Sequence, residues 1–499
     1  MAEKIKYNVV VVGAGNAALC AAISAKEKGA EVLVLEKAPK KKRGGNSYFT
    51  DGAIRFAFNG LEDLRKVIPR ITDEEAEKIV MPPYTKEMYH DDLMEATKKQ
   101  SDSALASHLV NESYETITWM HSHKIDFDLI YDNQSFERNG KFHFWGGLPV
   151  KTGGKGVGLI QKLIDRAEEL GIAIWYDAPA VKIHKDNEGA IHSIEVDKQG
   201  ERVNVETKSI ILACGSFEAN KELRAKHMGE EWNYAITRGT EYNTGDGLSM
   251  AMEVGAQPYG QWSMGHSIGT DANAPTVGDF SKPGDIFKKH SYPLGILMNK
   301  EGKRFVDEGA DFRNYTYAKY GREILKQPGN IAYQVFDEQV RGLLRGEYDR
   351  EEATYYQADS IEELANKLDV DRNQFVTTIQ EYNQAVQDGS YDPSVKDGKG
   401  TAGVTPPKTN WALRVDKKPY YAFPVTCGIT FCFGGIKTNA KTEVLDSNNE
   451  PIKGLFAAGE MIGGIFYENY PGGSGLMSGA VFGKTAGKVA AEYLQKTLV

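Results

Sequence analysis

The sequence predicts an α/β fold in two parts: a Rossmann-type layer built from both ends of the chain, and an inserted α+β domain between them. Three observations predict it. Residues 7–36 read as strand, glycine turn, helix, strand and acid. Residues 454–475 bring a further strand and a further set of glycines near the other end. Between them, from about Gln261, the pattern changes to loops rich in Gly, Pro and aromatic residues before strands return near 420. A chain of 499 residues exceeds one ordinary core. We expect a first part over 1–258, a capping or substrate domain over 259–432, and a returning part over 433–499.

The first element, "YNVVVV" at 7–12, is a β-branched run suited to a strand buried on both faces of a parallel sheet. Gly13-Ala14-Gly15-Asn16-Ala17-Ala18 follows as G-x-G-x-x-A and opens a helix of small residues that stops at Gly29. Gly13 permits the tight turn, Gly15 lets backbone approach a pyrophosphate, and Ala18 keeps the helix close to the sheet. The strand "AEVLVLE" ends in Glu36, 23 residues past Gly13, with Lys37 beside it. An acid at this distance suits the hydroxyls of an adenosine ribose. Next, the basic run Lys40 to Arg43 leads into Gly44, Gly45, Asn46 and Ser47, a glycine pair with a hydroxyl behind it that extends the cofactor path.

Residues 74–128 carry helical spacing. Residues 173–215 alternate as a three-stranded meander that returns to a buried strand, "SIILACGS". Val181 is a candidate backbone contact to adenine, Ala213 and Gly215 lie at the returning turn, and Asp246 in "NTGDG" suits a ribityl or phosphate-side hydrogen bond. In the insert, helices are expected at 315–326 and 360–389, and the turn-rich segment 388–407 reads as a mobile surface loop.

Near the other end, "KGLFAAGEMIGG" sets a short strand before Gly459 and Glu460, where Glu460 suits a ribityl chain. Gly472, Gly473 and Gly475, with Ser474 and Leu476 at a helix start, offer backbone N–H groups to a ring that gains negative charge. Gly479 to Thr485 imitates a P-loop, but it is one residue short and lies inside a predicted helix. An adenosine site at one end and a ring site at the other is the arrangement of FAD enzymes of the glutathione-reductase-like fold.

Composition narrows the function. A net charge of −9 argues against a nucleic-acid partner. Cys20, Cys214, Cys427 and Cys432 form no haem, zinc or iron–sulfur spacing, so no metal is expected and electrons need a separate acceptor: a protein, a membrane partner or dioxygen. No signal-peptide pattern and no run of 18 apolar residues is present. The expectation is a soluble, cytoplasmic protein without a transmembrane segment.

"VVVVGAGNAALCAA", "RGGNS", "ILACGSFEAN", "NTGDG", "GKRFVDE" and "GLFAAGE", in this order, resemble the flavoprotein family of fumarate reductases and succinate dehydrogenases. "EGKRFVDEGADFRNYTYAKYGREIL" and "ENYPGGSGLMSGAVFG" look most like its FAD-dependent tricarballylate dehydrogenase branch. The resemblance implies an FAD-dependent oxidoreductase that dehydrogenates, or in reverse reduces, a C–C bond beside carboxylates: an α-proton is removed and the β-hydride passes to flavin N5. It implies that His266 contacts a substrate carboxylate and that Arg313 delivers or removes the substrate proton, with Glu308 and Asp311 as relays. The sequence also departs from the family. Thr430 and Phe431 stand where a substrate histidine is expected, and Tyr470 replaces the clamp arginine. These losses put plain succinate or fumarate in doubt. Asn46 replaces the histidine that bonds FAD covalently in membrane-bound members, so noncovalent FAD is implied. Tyr470 in a Tyr-Pro-Gly loop also matches the flavin-dependent ketosteroid dehydrogenases, where a tyrosine helps polarise a ketone; here it either faces the substrate or packs on the flavin. Fumarate or enone chemistry therefore stays open, as does a flavin-binding electron-transfer subunit.

Overall fold

The computed structural model describes residues 5–497; residues 1–4 and 498–499, at the outer limits of the two expected end segments, lie outside them. Strand β1 (Val9–Val12) is fully buried and runs into helix α1 (Asn16–Glu27), followed by β2 (Val32–Leu35), β3 (Ala173–Trp175) and β4 (Ser209–Leu212). In the second half lie β5 (Pro258–Asp271), α2 (Arg313–Leu325), β6 (Tyr420–Ile436), β7 (Pro451–Ala457) and α3 (Ser474–Thr497). The main sheet has the order β3-β2-β1-β4-β7, all parallel, with Glu443–Leu445 added antiparallel at the edge. Both ends of the chain thus meet in one sheet, because β7 pairs directly with β4.

The expected meander forms from Ala180–Lys185, Ile191–Lys198 and Glu201–Glu206. A second sheet centres on β6, flanked by β5 and Ile331–Asp337, both antiparallel to it. Because β6 runs through residue 432, the expected join at 432/433 falls inside a strand. Helix α2 lies against β5 so closely that a Cβ on Gly321 would sit 2.6 Å from the Ile268 nitrogen. This contact fixes the helix bearing Arg313 over the strand bearing His266.

The structure adds detail to three local expectations. The stretch 74–128 holds separate helices at Asp73–Glu77, Lys86–Ala96 and Ser103–Ser122, each started by its own side-chain cap: Thr72, Thr85 and Asp102. The stretch 360–389 breaks into Ile361–Lys367 and Arg372–Ala385, because the Asp371 side chain caps a new start at Arg372 by accepting the Gln374 N–H. Segment 388–407 is tied down by Trp411, whose Nε1 donates to the carbonyls of Asp392 and Val395.

The P-loop imitation has a packing cause. Gly483 and Gly487 lie on the face of α3 against α1, where a Cβ would sit 2.4 Å from the Ala17 oxygen and 2.1 Å from the Ala21 oxygen. Backbone meets backbone across this helix pair. Alanine improves helix propensity by about 1 kcal/mol over glycine, whereas overpacking costs about 1–3 kcal/mol. Gly487→Ala should therefore lower the thermal unfolding midpoint; an unchanged or raised midpoint would show that the helices have slack.

Among the described residues no helix is long and apolar enough to cross a membrane.

Candidate functional site

A cavity of about 880 Å³ runs from the β1–α1 turn to Tyr470, within the size range of cofactor sites. At its first end Gly13 has φ +104°, and a Cβ there would meet the Ala213 oxygen at 2.5 Å. Helix α1 starts at Gly15 without a side-chain cap, so its first turn opens toward the cavity. Glu36 is buried; its two oxygens accept the N–H groups of Ala14 (3.0 Å) and Ala38 (2.7 Å), and burial pushes its carboxyl up to about 7. The Lys37 ammonium donates to Thr244 (2.5 Å) and pairs with Asp246 (2.7 Å). Asp246 accordingly stands beside Lys37 at the Glu36 end of the cavity. Pro179 and Ala180 form the wall beside it, with Val181 next along the strand and off the wall.

Gly44 and Gly45 both have positive φ and turn Ser47 back, so that its Oγ accepts the Asn16 N–H at 3.2 Å. The Asn16 side chain, 2% exposed, donates to the Leu476 carbonyl at 2.9 Å. That single bond ties the start of α1 to the start of α3, which brings Ala17, Gly459, Gly475 and Leu476 onto one wall with Ala213 and Gly215. Ser474 is fully buried behind this wall, hydrogen-bonded to the Tyr89 hydroxyl at 3.0 Å. Arg55 holds the glycine turn from below: it donates to the Gly472 carbonyl at 2.8 Å and pairs with Asp92 at 3.0 Å.

In the middle of the cavity, the Asn46 amide donates to the Glu218 carboxylate and to the Thr430 carbonyl, each at 2.6 Å. Glu218 also accepts from Asn243 at 2.5 Å, and Glu460 accepts the Cys432 N–H at 2.8 Å. One oxygen of each glutamate and the Cys432 sulfur lie within 4.8 Å of one another. Desolvation raises both carboxyl groups, and the charge of Glu218 raises Glu460 further. Two acids this close and this buried retain a proton between them.

At the far end the structure brings Arg313, His266 and Tyr470 together. The Tyr470 and Tyr317 hydroxyls are 2.8 Å apart. Their rings lie 4.9 and 5.2 Å from the His266 ring, with Phe431 at 5.4 Å. His266 is 4% exposed, neither ring nitrogen has a partner among the described residues, and burial holds it well below the usual histidine range, so it is neutral. Arg313, the first residue of α2, lies 5.1 Å over the Tyr317 ring, donates to Asn314, and contacts His290 Nδ1 at 3.3 Å. It forms no ion pair among the described residues. Glu308 and Asp311 are not its relays. Glu308 is fully buried and clamped by Arg304 at 2.5 Å, while Asp311 faces Lys396 at 3.4 Å.

Sequence reasoning missed Tyr317, His290, Glu218 and Arg55. Tyr317 lay within a quoted motif at one helical turn from Arg313, a spacing that places both on one face.

The family model described as "FAD binding domain" matches residues 8–476. The chain is 30% identical over 501 residues to a fumarate reductase (cytochrome) of Shewanella frigidimarina, covering 98% of this chain and 78% of that protein. It is 27% identical over 526 residues to the vinyl phenol reductase of Lactiplantibacillus plantarum, covering 99% and 98%. Among solved structures, the open conformation of a flavocytochrome c3 fumarate reductase superposes with a TM-score of 0.74 at 27% identity, covering 99% of this chain and 79% of that one.

Proposed function

The chain belongs to the FAD-binding-domain family and, within it, to the fumarate reductase and succinate dehydrogenase flavoproteins, and from that premise we propose that it interconverts a saturated and an unsaturated C–C bond beside a carboxylate. It is an FAD-dependent oxidoreductase acting on CH–CH groups. The preferred substrate in this reading is a small polycarboxylate such as tricarballylate, with cis-aconitate as its oxidised partner. The acceptor or donor of electrons is a separate protein, a membrane partner or dioxygen, and the setting is the cytoplasm.

The cavity residues fit FAD. Gly13 would let backbone close behind the diphosphate, Glu36 would hold the ribose hydroxyls, and the joined starts of α1 and α3 would present N–H groups. Glu460 and Asn46 line the middle of the cavity and would hold the chain between adenosine and ring, with Asn46 carrying no group for a covalent bond. Bound FAD supplies the hydride chemistry of the reaction. The protein supplies orientation and charge.

One observation carries the reading: a guanidinium without an acid partner among the described residues, Arg313, stands beside a pair of neutral hydroxyls and a neutral histidine at the far end of the cavity. The hydroxyls of Tyr470 and Tyr317 hold the oxygen that activates the C–C bond, and the cation of Arg313 faces a carboxylate. An Arg313 Nη then hands a proton to the α-carbon in reduction, since a carbanion is a stronger base than guanidine. Dehydrogenation has to begin by emptying that group, so the resting charge state is already loaded for reduction.

A second reading rests on the ring cup of His266, Phe431, Tyr317 and Tyr470, which also suits a conjugated ketone. Both directions should be followed under anaerobic conditions by the visible flavin band. The oxidised enzyme is mixed with tricarballylate, succinate or a saturated ketosteroid; the reduced enzyme with cis-aconitate, fumarate or the conjugated ketone. A response to the tricarboxylates alone is expected, a response to the ketone alone selects the second reading, and silence toward all six defeats both.

A further inference from the structure

We propose that His290 is the positioning residue for Arg313: it accepts a guanidinium N–H at a ring nitrogen and so aims the cation without pairing it to an acid, which selects substrates carrying an anionic group. The inference rests on the reading of Arg313 given above and adds the residue that keeps its charge available.

The contrast with other arginines of the fold points to it. Arg55 meets Asp92 at 3.0 Å, Arg304 meets Glu308 at 2.5 Å, and Arg238 meets Asp285. In each case the guanidinium is fixed by a carboxylate that also cancels its field. Among the described residues Arg313 has neutral partners only: His290 Nδ1, the Asn314 side-chain oxygen and the Tyr317 ring.

His290 can serve only while uncharged, and its surroundings hold it so. It is 6% exposed, its ring packs edge-on against Tyr317 at 5.2 Å, and the charges that reach it are Arg313, Lys288, Arg345 and Arg238, all cations. Burial is the larger influence, and both keep the imidazole well below the usual histidine range. Since Nδ1 receives the N–H of Arg313, the ring proton sits on Nε2, which is buried and has no partner among the described residues. A carboxylate in the same place would bond Arg313 more strongly and leave it useless to an anion.

The test compares His290→Asn, His290→Ala and His290→Asp as FAD-loaded enzymes at equal flavin content. Citrate, an unreactive tricarboxylate, is titrated by the flavin difference spectrum, and kcat and KM are measured alongside. Asparagine offers an uncharged acceptor near the Nδ1 position and should weaken citrate about 3-fold at most; alanine, about 10-fold; aspartate, about 50-fold. KM should follow the same order. Equal losses in all three variants would show a merely structural histidine and overturn the inference. Should the aspartate variant fail to fold, the Asn-to-Ala difference decides alone: a clear gap supports the inference, and none overturns it. Wild-type enzyme that ignores citrate while turning over a neutral ketone overturns the anionic-substrate reading, and this inference with it. Wild-type enzyme that binds citrate no better than His290→Asp overturns the inference only.

Discussion

Arg313→Ala should lower turnover by about 10³–10⁴-fold with FAD still bound and the fold intact, the size expected when a proton donor and a fixed charge are lost together. FAD binding should survive because the cradle is built from β1, α1, the Gly44–Ser47 turn and the start of α3, none of which contacts Arg313. The fold should survive because Arg313 closes no ion pair among the described residues, and its removal strands no buried acid. Arg313→Lys is the sharper control. It keeps the charge but loses the planar fork that reaches His290 and Asn314 together, so recovery should be small. The measurement is steady-state turnover beside the flavin-to-protein absorbance ratio and the rate of flavin reoxidation by cis-aconitate. If turnover falls less than 10-fold, about 1.4 kcal/mol, Arg313 is not the donor. The chain then reads better as an electron-transfer subunit whose chemistry lies in a partner.

How far this site could be read beforehand followed the distance along the chain over which each part is assembled. The end of the cavity proposed for adenosine was legible because one βαβ unit makes it: Gly13, Gly15 and Glu36 are set by local turns and one sheet register. The ring end joins residues hundreds of positions apart, and there spacing alone misassigned partners. Glu308 looked like a relay five residues before Arg313, yet Arg304, four residues before Glu308, takes it into a buried clamp. Nothing local shows that Lys37, 209 positions away, pairs with Asp246 and holds it at the Glu36 end of the cavity. His290 had no signal at all; its meaning comes from packing against α2. Glu218 stood inside a recognised motif, but only depth shows that it lies against Glu460 and braces Asn46. The helix glycines Gly479 and Gly483 imitated a phosphate loop because close helix packing and phosphate binding both demand absent side chains.

Tyr470→Phe should lower kcat/KM by about 10²-fold, less than Arg313→Ala, because it removes one hydrogen bond to the activating oxygen and leaves the cation in place. The deletion also strands the Tyr317 hydroxyl, which has Tyr470 as its bonded partner at 2.8 Å in a buried setting. Tyr317→Phe and the double variant therefore complete a cycle. If the two hydroxyls act on one oxygen, the double variant should be little worse than either single one; independent roles would multiply the losses. The same cycle separates the two substrate readings. A carboxylate can still be held by the Arg313 cation when the hydroxyls are gone, whereas a ketone in the ring cup is left with the neutral His266 as its polariser. Ketone turnover should then fall further than tricarboxylate turnover. Burial and the neighbouring Tyr317 hold the Tyr470 hydroxyl well above its ordinary value, so it stays protonated and able to donate below about pH 10, the unperturbed tyrosine value. No alkaline loss of activity belonging to Tyr470 should appear below that point, whereas dehydrogenation that rose with pH through a limb abolished in Tyr470→Phe would mean that the tyrosinate works as a base, removing the α-proton that we assign to Arg313.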